Sequence, residues 1–271
     1  AEHKNGQRDD WINCLEQAEE KYPKARSTIN SLKAQLLFKS GQLEQSVAVL
    51  EQLKKNSLND PSLLHLLKEV YVKLEDWQAL KDLIPTLEKN KVIDSAEIEQ
   101  IQMRIFMEEL YATCSKKEES AKQDALVQLM KLWKKAPVKY REDEKVVKHY
   151  IELLIQLDAQ EEAAKAIEVA VSKNWSEALV LRYGEQDFGT SQQQLLVADG
   201  WLKARPANSN LLLCLGRISM RNELWGKAKE YYEASIKIAP SAEAYGELSR
   251  LLKHLGEVEA SETYLKSYGD L

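Results

Sequence analysis

The chain has 271 residues, of which 44% are hydrophobic and 30% are charged, and its formal net charge is -5 at pH 7. A chain of this length can bury one or two sizeable cores. The acidic balance argues against a general nucleic-acid binder, because phosphate contacts require an excess of basic residues. Only 10 Gly and 6 Pro are present, so tight turns are few, and the abundance of good helix formers predicts an all-α fold.

Hydrophobic periodicity predicts helices along the whole chain. The first predicted helix, 9–21, has the pattern of a second helix in a pair, and we expect its partner to precede this chain. The segment 115–124 is highly charged and is expected to be a solvated connection between an N-terminal array, 1–114, and a C-terminal array, 125–271. One continuous solenoid is the alternative. The predicted helices are 9–21, 27–40, 43–56, 61–74, 77–89, 95–114, 119–135, 143–157, 160–172, 176–185, 190–204, 209–221, 225–238, 241–255 and 258–268.

An internal repeat is visible when residues 36–53 are aligned with residues 69–87. Gly41 then matches Glu75, and apolar positions match throughout at an offset of 34 residues. The same period recurs near the C-terminus, where the positions typical of a tetratricopeptide repeat are filled. These positions are Leu215, Gly216, Ala228, Tyr232 and Pro240. The sequence therefore predicts a tetratricopeptide-repeat solenoid, or superhelix, of antiparallel helix pairs.

The repeat makes specific demands on small and turn-forming residues. A small residue on the first helix and an alanine on the second let the two axes approach. The turn within a pair needs positive φ, which Gly41 and Gly256 supply, and Asp158 and Asn222 stand near equivalent turns. Gly226, beside Trp225 at the entry of a second helix, is predicted to allow a neighbouring ring or backbone to come close.

The sequence has none of the common motifs of enzymes or metal sites. The chain contains no GxSxG, GxGxxG, phosphate-loop or HExxH motif, so we predict a protein without catalytic residues. The four histidines are widely separated and no metal site is predicted. The three cysteines form no CxxC motif and are interpreted as small hydrophobic residues.

A partner-binding surface is predicted from the repeat register, because the first helices of stacked pairs present their inner faces to a ligand. In the C-terminal array these faces combine a basic cluster with a few polar and apolar residues. One interpretation is a groove that accepts a carboxylate, from an acidic peptide or from the propionates of a porphyrin. The other is that the arginines pair with glutamates of neighbouring helices. The predicted residues are Asn210, Leu213, Arg217, Arg221, Arg250, Lys253 and His254.

The same register selects Phe38 and His65 in the N-terminal array. An exposed phenylalanine on an inner face would serve as an anchor for a protein partner. The alternative is that Phe38 is buried against the preceding helix. Both interpretations stay open at the level of the sequence.

Several segments together resemble one family. They are SGQLEQSVAVLEQL (40–53), LEDWQALKDLIPTLEKNKV (74–92), LRYGEQ (181–186), GWLKARP (200–206) and the long stretch LLLCLGRISMRNELWGKAKEYYEASIKIAPSAEAYGELSRLLKHLGE (211–257). In these segments the chain is similar to the tetratricopeptide domain of HemY, a bacterial inner-membrane protein associated with haem synthesis. The likeness extends through nearly the whole sequence.

The resemblance implies a non-catalytic scaffold on the cytoplasmic side of the bacterial inner membrane, attached by an anchor that precedes this chain. Its implied partners are proteins, with late enzymes of haem biosynthesis as candidates. No cofactor is expected, although a direct role as a haem or porphyrin carrier is an alternative. A further alternative is an adaptor of envelope assembly unrelated to haem.

Overall fold

The protein was analysed as a computed structural model that describes residues 2–56, 60–115, 122–189 and 191–269. Within these ranges every regular element is a helix, which confirms the predicted all-α class. In the same ranges each helix is either too short or too polar to span a bilayer. Of the predicted connection 115–124, residues 116–121 lie outside the described ranges, and residues 122–124 begin a helix.

The described helices follow one another with short connections. A 3-10 helix, Pro23–Ala25, lies between the first two. The helices are α1 (Glu2–Lys21), α2 (Arg26–Lys39), α3 (Leu43–Asn56), α4 (Pro61–Leu74), α5 (Trp77–Lys89), α6 (Ser95–Cys114), α7 (Lys122–Lys135), α8 (Val138–Glu142), α9 (Glu144–Gln156), α10 (Gln160–Lys173), α11 (Glu177–Glu185), α12 (Ser191–Ala204), α13 (Ser209–Arg221), α14 (Trp225–Ile238), α15 (Ala242–His254) and α16 (Val258–Gly269).

Side-chain caps stand at the start of several of these helices. Asp60 accepts from the amides of Ser62 and Leu63, and Asn208 accepts from the amide of Leu211 at 2.8 Å. Such caps satisfy amides that have no partner within the helix. The predicted boundaries consequently agree with the observed ones to within a residue or two for most helices; the short helix α8 and the first turns of α1 were not predicted.

The chain divides into two compact units, Ala1–Glu108 and Glu109–Leu271. In the N-terminal unit α2 packs against α3, α3 against α4, and α4 against α5. Leucines on the facing sides of these helices are removed from solvent, and they form one core with Ala34 and Tyr71. Each pair therefore buries its apolar stripe only by packing on the next one, as the repeat requires.

The C-terminal unit repeats the arrangement with α9 and α10, α13 and α14, and α15 and α16 as packed pairs. Between them, α11 contacts α12 through Gln194, which donates to the carbonyl of Tyr183 at 3.1 Å, and both helices pack on α13. The turns within pairs have positive φ where the sequence predicts it at Gly41 (81°), Asp158 (59°) and Gly256 (83°). Asn222 stands at the turn, as predicted: it caps the end of α13 with a φ of -88°, and the next residue, Glu223, takes the left-handed conformation. Asn222 also donates to the carbonyls of Ser191 and Ile218, both at 2.9 Å.

Two glycines let helices of the C-terminal unit come into close contact. A Cβ atom on Gly216 would lie 2.3 Å from Cε1 of Tyr232, and one on Gly184 would lie 2.7 Å from Cα of Cys214. The ring of Tyr232 therefore lies directly on α13, and α11 packs closely on α13. The predicted role of Gly216 as the small residue of the first helix is confirmed.

The prediction for Gly226 was wrong. Nothing lies within 4 Å of the position that its Cβ would occupy, and the residue is exposed. Trp225, next to it, packs on the core that surrounds Tyr232 and contacts the ring of His254 at 4.9 Å between centroids. Gly226 therefore admits no close neighbour from another helix.

Candidate binding pocket and groove

The C-terminal unit contains a pocket of about 260 Å³ on the inner face of α13. We call it the C-terminal pocket. Two of the predicted residues, Arg217 and Arg221, meet there, and α11, α14 and α15 supply the rest of its wall. The lining residues are Gly184, Glu185, Arg217, Met220, Arg221, Tyr232 and Glu247.

Arg217 is held by three carboxylates. Its Nη2 lies 2.9 Å from Glu243, its Nε lies 3.2 Å from Glu247, and its Nη1 lies 3.5 Å from Glu185. The side chain is only 13% exposed. Burial opposes the charge, but Glu247 and Glu243 raise the pKa of this guanidinium above its ordinary value. Arg217 therefore ties α13 to α11 and α15, as the second sequence interpretation describes.

Arg221 lies one helical turn further along α13 in a different environment. Its Nη1 donates to the carbonyl of Gly184 at 2.7 Å. Its Nε and Nη2 are buried, and neither has a hydrogen-bond partner within the described part of the chain. Burial lowers the pKa of this guanidinium, while the charge of Asp187 opposes the shift. Arg221 is thus a half-buried cation whose hydrogen bond within the described residues goes to a neutral carbonyl.

The hydroxyl of Tyr232 is a third polar group of the C-terminal pocket. It is buried, and among the described residues it has no hydrogen-bond partner. Burial and the charge of Glu247 raise the pKa of Tyr232, whereas Arg217 and Arg221 act in the opposite direction. The hydroxyl is accordingly a neutral donor close to both arginines. Its place in the pocket depends on Gly216, which leaves room for the ring.

The remaining predicted residues of the C-terminal array lie outside this pocket. Asn210 bonds to Glu177, and Leu213 is buried in the core with 2% exposure. Arg250 is 72% exposed and pairs with Glu247 at 3.2 Å. Lys253 is exposed, and His254 packs beside Trp225. Leu213 therefore has no surface to offer to a partner.

The N-terminal unit contains a larger groove of about 660 Å³, which we call the N-terminal groove. Phe38 and His65, which were predicted together, both line it, and residues of α2 and α4 supply most of the wall. Phe38 is half-buried on the core, and Nζ of Lys73 lies 4.3 Å from the centroid of its ring. His65 is exposed. The lining residues are Gln35, Phe38, Lys39, Pro61, Ser62, His65, Leu66, Glu69, Lys91 and Val92.

Sequence reasoning missed Tyr232, Gly184 and Glu247 as members of the C-terminal pocket. Tyr232 was recognised only as the aromatic residue of the repeat, and its hydroxyl reaches the pocket from the second helix because Gly216 has no side chain. The pairing of a glycine on the first helix with a tyrosine on the second was a usable signal. No signal in the sequence indicated Gly184.

Across the described residues no group of three or more His, Cys, Asp or Glu side chains is placed to hold a metal ion. Cys114 and Cys214 are buried, and Cys14 is exposed. Burial raises the pKa of the Cys214 thiol to about 12, so this residue is a neutral packing group at pH 7.

The chain was compared with known proteins. No protein-family model matches it, and no curated protein sequence matches it. Among solved structures it is similar to MamA from Desulfovibrio magneticus RS-1, with 12% identity, a TM-score of 0.27 and coverage of 90% of this chain and 94% of that one. It is also similar to MamA AMB-1 (14% identity, TM-score 0.32, coverage 89% and 96%) and to yeast Tom70 (15% identity, TM-score 0.35, coverage 98% and 66%).

Proposed function

We propose that the chain is a non-catalytic scaffold that binds protein partners through the inner faces of its first helices. The observation that supports this proposal most directly is that the N-terminal groove is built mainly from α2 and α4, the first helices of successive pairs. Arrays of helix pairs use such faces for extended contacts. Phe38, half-buried beside His65, supplies an aromatic anchor of the kind found at the centre of protein interfaces.

We further propose that the scaffold works at the cytoplasmic side of a bacterial inner membrane and is linked to late haem biosynthesis. The support for this finer proposal is the resemblance of residues 40–53, 74–92 and 181–257 to the HemY family. In this proposal an anchor outside the chain attaches the domain to the membrane, and its partners include enzymes of porphyrin metabolism.

A haem or porphyrin carrier is the second candidate. It is favoured by Arg221, which is half-buried and donates to no carboxylate among the described residues, since a porphyrin propionate would supply that acceptor. Titration of the purified protein with hemin tests this candidate. A saturable Soret shift that is lost in Arg221→Gln would support the carrier, and an unchanged spectrum would eliminate it.

Position-dependent crosslinking tests the scaffold. A photoreactive phenylalanine analogue at His65, on the first helix α4, is compared with the same analogue at Leu196, on the second helix α12, where the residue is 73% exposed. The experiment uses the full-length protein in bacterial membranes, with mass spectrometry of the products. We expect discrete protein adducts from position 65 and few from position 196. Equal adduct patterns from both positions would contradict binding through the inner face.

A further inference from the structure

We propose that the C-terminal pocket binds a single carboxylate of a protein partner, with Arg221 and Tyr232 as its donors. This inference rests on the proposed scaffold function, because it names the group by which a bound polypeptide is recognised. Three observations support it: the unequal pairing of the two arginines, the unpaired donors of the pocket, and its size.

The two arginines of the pocket differ in their acidic partners. Glu185, Glu243 and Glu247 all contact Arg217. Arg221 donates only to the carbonyl of Gly184 among the described residues. A guanidinium withdrawn from water is normally paired with an anion, because the desolvation cost of an unpaired charge is large. Glu185, Glu243 and Glu247 are engaged with Arg217, and Asp187 acts on Arg221 through its charge without a hydrogen bond among the described residues. A ligand carboxylate would supply the directly bonded anion that Arg221 lacks there.

The donors of the pocket come from two helices. Nε and Nη2 of Arg221 lie on α13, and the hydroxyl of Tyr232 comes from α14 across Gly216. Nη1 of Arg217, also on α13, lies 3.5 Å from Glu185 and has no hydrogen-bond partner either among the described residues. These are N–H and O–H groups without acceptors in the described residues. A carboxylate has two oxygens and accepts several such bonds, and a guanidinium binds it with two parallel bonds. The set of unused groups therefore matches a carboxylate in number and in kind.

The size and the rim of the pocket define the ligand further. About 260 Å³ is below the range of roughly 300 to 1,000 Å³ that small-molecule sites occupy, so the pocket suits one side chain or a chain terminus. A porphyrin ring does not fit inside it. Glu185 and Glu247 stand at the wall and would repel a second negative charge. We infer that an isolated glutamate, aspartate or C-terminus is favoured over an acidic run.

Nuclear magnetic resonance of the intact, nitrogen-15-labelled chain tests this inference. The Nε–H signal of Arg221 is identified by its absence in Arg221→Gln. It is then followed during titration with acetyl-Gly-Glu-Gly-amide, acetyl-Gly-Gly-Gly with a free C-terminus, and sodium acetate. The matched control is acetyl-Gly-Gln-Gly-amide, which has the same shape without the charge. We expect the Arg221 signal to move with the carboxylate peptides and to stay in place with the glutamine peptide.

The first two peptides distinguish a side chain from a chain terminus, and acetate shows whether a free small acid suffices. Equal shifts with the glutamate and glutamine peptides would overturn the inference, because the acceptor would then be a neutral carbonyl. An Arg221 signal that no probe moves would overturn it as well. Stronger binding of acetyl-Glu-Glu-Glu-amide than of the single glutamate would contradict the selectivity.

Variants complete the test. Arg221→Gln is expected to weaken binding of the glutamate peptide by about 30-fold or more, since the carboxylate loses a buried charged partner. Tyr232→Phe should weaken it by a smaller factor. Arg250→Gln, at an exposed arginine outside the pocket, is the control and should change nothing. If adducts from position 65 persist in Arg221→Gln while the glutamate peptide has no effect on wild type, the scaffold stands and the pocket assignment fails.

Discussion

Helix α4 in the N-terminal unit and helix α13 in the C-terminal unit each carry a cation at the equivalent position, but one cation is exposed and the other is half-buried. Lys73 and Arg221 both lie two residues before the residue of positive φ, which is Glu75 in one unit and Glu223 in the other. Lys73 is exposed and covers the ring of Phe38, whereas Arg221 is half-buried and donates to Gly184. Water therefore stabilises the first cation, whereas two nitrogens of the second are buried and bond to no carboxylate among the described residues.

The two helices also differ in charge at the position one turn earlier. Four residues earlier, α4 has Glu69 and α13 has Arg217. In the N-terminal unit the buried cation is Lys68, which pairs with Glu69 at 2.9 Å and also with Glu97. Lys68 thus pairs with one carboxylate of its own helix and one of α6, and Arg217 pairs with carboxylates of α11 and α15. The C-terminal unit has a further cation, Arg221, which does not bond to these carboxylates. The comparison separates charges that stabilise the fold from one that is available to a ligand.

The largest effect is expected from Gly216→Ala. The new Cβ would lie 2.3 Å from the buried ring of Tyr232, which cannot move away. We expect the free energy of unfolding of the C-terminal unit to fall by about 3 kcal/mol, the upper range for overpacking. The matched control is Gly226→Ala in the next helix, where nothing lies within 4 Å. It should stabilise the unit by up to about 1 kcal/mol through helix propensity.

Hydrogen exchange of peptides from α13 and α14, measured by mass spectrometry, checks both variants within the unit concerned. If Gly226→Ala were the more damaging of the two, the packing described for Tyr232 would be incorrect.

Arg217→Gln should destabilise the C-terminal unit by about 2 kcal/mol. Its three carboxylate partners would keep their charges after losing the cation between them. Lys68→Gln should have a similar effect in the N-terminal unit, since Lys68 is only 5% exposed. Arg250→Gln is the control, because a cation that is 72% exposed contributes less than about 1 kcal/mol. Urea unfolding curves would contradict the comparison if all three variants were equivalent.

The sequence predicted the helices and the turns because both depend on local rules. Asp60, Asn208 and Gly256 are recognisable from their types and spacing alone. It also placed Phe38 with His65 and Arg217 with Arg221, since the repeat register fixes which residues share a face. Whether an arginine is paired depends on side chains some 30 residues away, such as Glu185 and Glu247. A single sequence contains no rule for those contacts.

The glycines illustrate the same limit. Gly216 was predicted correctly because the repeat pattern requires a small residue at that position. Gly226 was interpreted from its neighbour Trp225, and sequence adjacency on a helix does not determine what faces a residue. Gly184, which contacts the backbone of Cys214, follows no pattern in the sequence. Close approaches outside the repeat pattern had to be seen in the structure.

Alkaline pH should weaken the C-terminal unit through Cys214. Burial raises the pKa of this thiol to about 12 in the folded state, above an unfolded value near 9. The unfolded chain then loses the proton first, so the contribution of Cys214 is complete below about pH 9 and declines as the pH rises towards 12. The slope is roughly 1.4 kcal/mol per pH unit for this one proton. Cys214→Ala should remove that component from urea unfolding curves measured between pH 8 and 10. If the free energy of unfolding had the same pH dependence in wild type and in the variant, the Cys214 thiol would not be buried as described.

The smallest effects come from the two cations of the opening comparison, and they differ in sign. Lys73→Met removes an exposed cation over an aromatic ring and should lower the free energy of unfolding by about 0.5 kcal/mol. Arg221→Met removes a half-buried charge that bonds to no carboxylate in the described part of the chain, and replacing such a group with an apolar side chain should raise the free energy of unfolding by about 1 kcal/mol. Urea unfolding without added ligand checks both changes.

A stabilised Arg221→Met that no longer binds the glutamate peptide would show that the cation is kept for recognition at a cost in stability. If Arg221→Met instead lost several kcal/mol, the guanidinium would have an internal counter-charge, and the contrast between α4 and α13 would fail.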